Sequence, residues 1–514
     1  MKNLFNSIKL DRPKNNVFDL SHDVKLSCNM GQLVPVLCME AVPGDKFNIS
    51  CESLIRFAPL IAPVMHRMDV TMHYYFVPNR ILWPNWENFI TQTKVGPSVP
   101  AFPTVAMYSG TYTPLADYLG IPKPPVGTGY PGESVSALPF AAYQSVYNSY
   151  YRDENLVLES DVKHVVDDGE NLGFGLINMR TRAWEKDYFT ASLPFAQKGA
   201  AVDIPLGDVQ LNPDAMGQHG YFRDANDQAT GLAGTAIGDL ADPGKLTVGD
   251  PSNVPPRIAG VYDPNGTLET EPTTINDLRR AFKLQEWLER NARGGTRYIE
   301  NILAHFGVKS SDARLQRPEY ITGTKSPVMI SEVLNTTGTD DLPQANMAGH
   351  GVSVTSGKYG NYRCEEHGYI IGVMSIMPKP AYQQGIPKHF LKTVDAFQYY
   401  WPSFAHIGEQ EVENKEIYAF QGAAGSDTFG YVPRYAEYKF MPSRVAGDFR
   451  TTLDFWHLGR IFATPPALNQ TFIECNPDPR VFAVTDPDVQ KMYCHVLNKI
   501  RAVRPMPFFG NPQF

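Results

Sequence analysis

The stretch Met68–Phe76 reads MDVTMHYYF, and its spacing decides the fold class. Met68, Val70, Met72, Tyr74 and Phe76 fall on one face of an extended chain, and Asp69, Thr71 and His73 fall on the other. Alternation with a period of two marks a half-buried antiparallel strand. Outward from it, Val328–Leu334, Gly351–Thr355 and Tyr369–Met377 read as further strands. The last is apolar on both faces, which predicts a central place in its sheet. Gln32–Met39 and Met492–Val503 complete the set, one near each end of the chain. Strands drawn from both ends around a long middle predict an all-β sandwich closed by non-local pairing, as in a jelly roll.

The composition fits long, ordered excursions between short strands. The 514 residues include 41 Gly and 42 Pro, above the usual combined share of about 12%. Proline breaks helices and interrupts central strands, so regular elements are short. Hydrophobic residues at 43% and aromatics at 12% still supply a sizeable core.

The middle carries the helices. Ala141–Tyr151 follows Pro139 and sets Phe140, Tyr143, Tyr147 and Tyr150 at helical spacing. Thr274-Ile275-Asn276-Asp277 is a capping box with Asp in place of Glu, and it opens Leu278–Asn291. Leu278, Ala281, Phe282, Gln285 and Leu288 form one face of that helix. Gly294-Gly295 breaks it, and a second amphipathic helix with Tyr298, Ile299, Ile302, Leu303 and Phe306 ends at Gly307.

Charge is uneven. The net value is −8, which argues against a surface that binds nucleic acid all round. Between Ala200 and Glu271 only Arg223, Lys245 and Arg257 are basic against eleven acidic residues, so this stretch carries −8 and the rest is neutral overall. It is rich in Gly, Asp, Asn and Pro, and reads as a surface projection. The six cysteines form no C-x-x-C pair and are expected to be buried free thiols. The N-terminal MKNLFNSIKLDRPKNN has no apolar h-region, so no secretory signal is expected, and no apolar run approaches a membrane span.

Site patterns fail on spacing. Gly357-Lys358 is followed by Tyr359 and not by Ser or Thr, and Gly323-Thr324-Lys325-Ser326 lacks the phosphate-loop spacing. His66 and His73 do not form a metal pair. Asp167-Asp168-Gly169-Glu170 and Asp263-Pro264-Asn265-Gly266 read as turns, not calcium loops. No catalytic, cofactor or metal residue is assigned. The C-terminal Asn498–Pro505 (NKIRAVRP) sets Lys499 and Arg501 opposite Ile500 and Ala502, with Arg504 just beyond. These three are the candidate phosphate contacts, the competing reading being an ordinary solvated strand face. Lys2, Lys9, Arg12 and Lys14 form a second basic cluster.

Two blocks are the most distinctive part of the chain: Leu138–Leu156, LPFAAYQSVYNSYYRDENL, and Thr181–Gly199, TRAWEKDYFTASLPFAQKG. Their aromatics, prolines and paired charges are the material of subunit contacts or of the packing beneath them. They closely resemble the major capsid proteins of the Microviridae, specifically the gokushoviruses. The resemblance continues through FDLSH (Phe18–His22), VPGD (Val42–Asp45), FVPNRILWPNWENF (Phe76–Phe89) and Asn276–Val308. It extends to RLQRPEY (Arg314–Tyr320), PRYAEY (Pro433–Tyr438), FWHL (Phe455–Leu458) and AVRPMP (Ala502–Pro507), and lapses over Ala200–Glu271.

The resemblance implies an eight-stranded antiparallel jelly roll, a viral capsid β-sandwich with helix-bearing insertions. It implies copies assembled into a T=1 icosahedral shell around circular single-stranded DNA, in a virion built in a bacterial host. Residues 200–271 would form protrusions at the three-fold axes that engage a host surface receptor. Internal scaffolding and minor virion proteins are the further partners implied. The competing class is a secreted β-sandwich lectin or glycosidase with aromatic sugar platforms; the missing signal segment counts against it.

Overall fold

The computed structural model describes residues 14–92, 99–107, 112–123, 133–171, 173–203, 209–211, 222–223, 229–230, 268–270, 274–334, 347–420 and 427–509. The chain divides into two units, Met1–Ala196 with Asn291–Phe514, and Gln197–Arg290.

The first unit is mostly β-sheet with few helices. The strands of its two larger sheets are β1 (Asn16–Asp19), β2 (His22–Cys28), β3 (Val34–Ala41), β4 (Lys46–Phe57), β5 (Met68–Pro78) and β6 (Glu319–Pro327). They continue with β7 (Met329–Leu334), β8 (Met347–Ser356), β9 (Gly360–Arg363), β10 (Gly368–Pro378) and β11 (Met492–Arg504). A four-stranded sheet runs β6-β5-β10-β3. A seven-stranded sheet runs β1-β11-β4-β8-β7, with β2 also on β11 and β9 also on β4. All pairings are antiparallel.

Every strand read from the sequence is present. Tyr369–Met377 lies in β10, buried along its whole length between β5 and β3. β11 pairs with β1, β2 and β4, so the two ends of the chain close the sheet together. Strands β1, β2, β4, β6 and β9 were not anticipated. β4 carried a usable signal, since Phe47, Ile49, Cys51, Ser53, Ile55 and Phe57 alternate and are all buried.

The main core lies between the two sheets. Val36, Met72, Tyr74 and Ile370 from one sheet meet Ile49, Ile55, Val496 and Ile500 from the other. This pairing of inner faces is consistent with a viral capsid β-sandwich. A second core lies on the outer face of the four-stranded sheet, where Tyr75, Val77, Ile371 and Val373 pack with the helix α1 (Leu138–Tyr150).

That second core corrects the half-buried reading of Met68–Phe76. Both faces of β5 are covered, and its polar residues are paired inside the chain. Asp69 binds Lys325 and Lys379, each at 3.0 Å. Thr71 Oγ1 accepts from Arg182 Nη1 at 2.7 Å, and His73 Nδ1 meets the Tyr151 hydroxyl at 2.6 Å. The two aromatic blocks are therefore packing within the chain. Tyr143, Tyr147, Trp184, Tyr188 and Phe189 are all buried, and Tyr143 Oη donates to the Leu33 carbonyl at 2.7 Å.

Burial holds both His66 and His73 at a pKa of about 4, against 6.5 for a free ring. Arg182 adds to the effect at His73, and His457 and Arg480 at His66, where the hydrogen bond to the Lys379 carbonyl opposes it. Below pH 6.5 an unfolded chain takes up protons that the fold refuses. The stability tied to the neutral rings is therefore complete above pH 6.5 and is lost as pH falls towards 4, by up to about 3 kcal/mol each. Thermal midpoints are expected to fall between pH 7 and 4.5, and His73→Gln should flatten part of that fall. An unchanged slope in the variant would contradict this assignment.

The helices α2 (Ile275–Gly294) and α3 (Tyr298–Phe306) follow the expected boundaries, and Gly307 caps the latter. In the second unit, Asp277 N–H donates to Thr274 Oγ1 at 3.2 Å, while Thr274 Oγ1 donates to the Asp277 carboxylate at 2.6 Å. The capping residues thus meet, although the return bond goes to a side chain and not to backbone. Leu278, Ala281, Gln285 and Leu288 are partly covered; Phe282, expected among them, is exposed. Short ladders pair Val209–Leu211 with Leu268–Thr270 and Phe222–Arg223 with Ala229–Thr230. The rest of 204–267 lies outside the described residues, as does the Asp263–Gly266 turn.

The described cysteines are unpaired thiols, five buried and Cys38 partly so. No described helix is long and apolar enough to cross a membrane.

Candidate nucleic-acid interface

Strand β11 has the alternation its sequence implies. Val496, Asn498, Ile500 and Ala502 are buried, whereas Lys499 is half-buried and Arg501 exposed on the solvent side of the seven-stranded sheet. Lys499 Nζ is hydrogen-bonded to Glu52 on the adjacent β4, and that bond raises the pKa of the ammonium group.

Arg501 stands opposite Asn48 and Asp19 in the ladders. The Asp19 carboxylate, however, accepts from the Ser21 N–H at 3.0 Å and makes no ion pair with Arg501. Arg501 shares a cleft of about 690 Å³ with Lys46, Arg363 and Tyr359. Among the described residues, none of these three cations has a carboxylate partner, and the Tyr359 ring is exposed. Unpaired cations beside an open ring offer phosphate contact and base stacking together, the combination that holds single strands without reading their sequence.

Arg504 differs from the other two. By parity it belongs with the core-facing set, and its bonds run inward. Its Nη2 donates to the Glu40 carbonyl at 2.8 Å, its Nε lies 3.5 Å from Asp45 Oδ2, and its guanidinium stands over the Phe47 ring. Asp45 is buried, which raises its pKa, with Arg504 and the Val42 N–H pulling the other way. These contacts staple the Val42–Asp45 turn between β3 and β4. In that turn Asp45 N–H donates to the Val42 carbonyl at 3.1 Å, with Gly44 at φ +96°. Pro-Gly at the two central positions gives the type II geometry.

Of the three candidates, Lys499 and Arg501 share the solvent side of β11, and Arg504 turns inward. Lys46, Arg363 and Tyr359 were missed, although the alternation of β4 would have turned Lys46 outward. Of the N-terminal cluster, Lys2, Lys9 and Arg12 lie outside the described residues, and Lys14 is exposed. The Asp167–Glu170 segment is a turn, with Asp168 accepting from Trp83 Nε1 at 2.7 Å. No group of three or more metal-binding side chains occurs among the described residues.

Comparison over the whole length shows the family to which this chain belongs. A family model described as "Capsid protein (F protein)" matches residues 6–514. The chain belongs to this family of phage capsid proteins. It is 35% identical to the capsid protein VP1 of Chlamydia phage 1, over 100% of this chain and 98% of that relative. It is 36% identical to the capsid protein VP1 of Bdellovibrio phage phiMH2K, over 96% and 94%. The capsid protein VP1 of Spiroplasma virus 4 is 29% identical over the same shares. The gokushovirus resemblance read from the sequence holds along the entire capsid chain. As a family member the subunit is a structural component of a phage virion and not an enzyme, and its copies assemble into a multimeric shell around the genome.

Proposed function

We propose that this subunit is an eight-stranded jelly roll whose copies close a T=1 icosahedral shell around circular single-stranded DNA. The observation that carries the fold is the strand order. β1 and β2 lie end to end along β11, and β8 and β9 lie end to end along β4. Counted as single broken strands, they leave two sheets of four, with β7 as an added edge. Consecutive strands then alternate between the sheets except where β5 passes to β6 across the helical insertion, the winding of a jelly roll.

The solvent face of the seven-stranded sheet turns to the genome, with Arg501, Lys46, Arg363 and Lys499 on phosphates and Arg504 holding the strand beneath them. The acidic residues 200–271 project outward at the three-fold axes and contact the host receptor. Eleven carboxylates would be repelled by an enclosed polyanion and are solvated at little cost outside. Internal scaffolding and minor virion proteins complete the assembly.

The test replaces 204–267 with a short Gly-Ser turn and measures particle formation and host attachment separately. Particles should still form, and attachment should fall at least about tenfold, equivalent to losing about 1.4 kcal/mol of binding. Absence of particles would make the insertion architectural, and undiminished attachment would put recognition elsewhere.

A further inference from the structure

One group of exposed apolar side chains lies far along the sequence from the two blocks that first suggested an interface. Phe397, Tyr399, Tyr400, Trp401, Phe440 and Met441 are all about half exposed or more, and Met441 is 88% exposed. They sit on short turns joined by ring contacts and hydrogen bonds. Tyr400 stacks edge-on against Tyr435 at 5.0 Å and Tyr438 at 6.2 Å. Trp401 N–H donates to Tyr435 Oη at 3.3 Å, and Arg434 Nη2 donates to the Phe397 carbonyl at 2.9 Å.

Beneath the patch lies a satisfied polar base. Lys392 is buried, with its Nζ 2.6 Å from Glu437 and 4.0 Å from the centre of the Tyr438 ring. Glu437 also accepts from Gln410 Nε2 at 2.7 Å, and Gln410 Oε1 accepts the Tyr435 N–H at 2.9 Å. Tyr435 itself is buried at φ +61°, a left-handed conformation that a bulky residue keeps only when its surroundings enforce it. The exposed rings are thus fixed in place before any partner arrives, which lowers the entropy cost of binding.

We propose that this patch is a contact between copies of this chain in the shell. The proposal rests on the shell reading above. Aromatic side chains present about 150–250 Å² each, so the five rings at roughly half exposure offer roughly 500 Å², to which Met441 adds. That is well over half of the about 800 Å² that each partner gives to a standard interface, and it is at the size at which an exposed apolar patch is often functional. The patch has little to offer a sugar. Trp401 Nε1 is bound to the Ala396 carbonyl, Tyr399 Oη to the Lys392 carbonyl, and the Lys392 charge to Glu437. What remains is apolar area with a fixed shape, which suits a protein surface.

The experiment compares the parent chain with Phe397→Ser/Phe440→Ser/Met441→Ser by thermal melting, sedimentation and attachment to host cells. The expected result is a near-parental melting midpoint for the isolated subunit and a particle yield reduced about tenfold or more, since rings at an interface centre carry much of its energy. If the triple variant melts early, Met441→Asp, at the most exposed position, replaces it with the same expectation. Parent and variant shells in equal yield would overturn the patch and leave the shell reading intact. Equal yield with lost attachment would do the same and assign the patch to the host. A parent that associates only into small oligomers, with a monomeric variant, would uphold the patch and overturn the shell.

Discussion

Replacing Gly31 with Ala is expected to abolish the folded subunit. Gly31 lies in the turn where the chain leaves β2, in the seven-stranded sheet, for β3 in the other. Its φ is +79°, and a Cβ there would stand 1.6 Å from the Cys475 carbonyl oxygen. Neither partner can retreat. Gly31 N–H donates to the Ile376 carbonyl at 2.9 Å, Arg182 N–H donates to the Gly31 carbonyl at 2.8 Å, and Cys475 N–H donates to the Arg182 carbonyl at 2.8 Å. Left-handed strain and an overlap with fixed backbone together exceed about 4 kcal/mol, a large part of the 5–15 kcal/mol typical of a whole domain. Soluble yield and the cooperative thermal transition should both be lost. A variant that melts with the parent would show that the β2–β3 crossing is not built as described.

Arg504→Gln and Arg501→Gln are expected to behave oppositely, although the two residues are three apart on one basic strip. The first removes the cation that faces buried Asp45 and the donor to Glu40. Breaking such a pair from one side costs about 3 kcal/mol, because the remaining charge stays buried without compensation. The second removes an exposed side chain with no ionic partner among the described residues, so the melting midpoint should hardly move. The DNA readout reverses. Arg501→Gln should weaken single-stranded DNA binding most at low salt, and the slope of log K against log salt should fall by about 0.7 per lost contact. Equal melting of the two variants would remove Arg504 from its structural role, and an unchanged salt slope in Arg501→Gln would remove Arg501 from the interface.

Much of this architecture was legible because it is periodic. The alternation in Met68–Phe76 and in β11, the Pro139 start of α1 and the Gly307 end of α3 are local properties of the chain. What escaped depends on distance. Nothing near Arg504 reveals that it reaches Glu40, 464 positions away, so a strip of three cations looked uniform when one of them is a staple. The aromatic blocks announced a packing surface without saying what they pack on. Tyr143 closes on Leu33 and Tyr151 on His73, and both partners are far off in sequence. Conversely, the turns that carry Phe397–Trp401 and Tyr438–Met441 have neither helical nor strand spacing, so their open aromatic face left no pattern to read. The polar residues of β5 looked like a solvent face because their partners, Arg182, Lys325 and Lys379, come from three separate segments.

In the proposed shell the subunit turns the cleft of Lys46, Arg363 and Arg501 towards packaged single-stranded DNA. Electron cryomicroscopy of assembled particles tests it most directly. Closed T=1 shells with that cleft on the inner surface, against nucleic-acid density, are expected. Closed shells with the cleft on the outer surface, or a parent chain that never closes into shells, would contradict it.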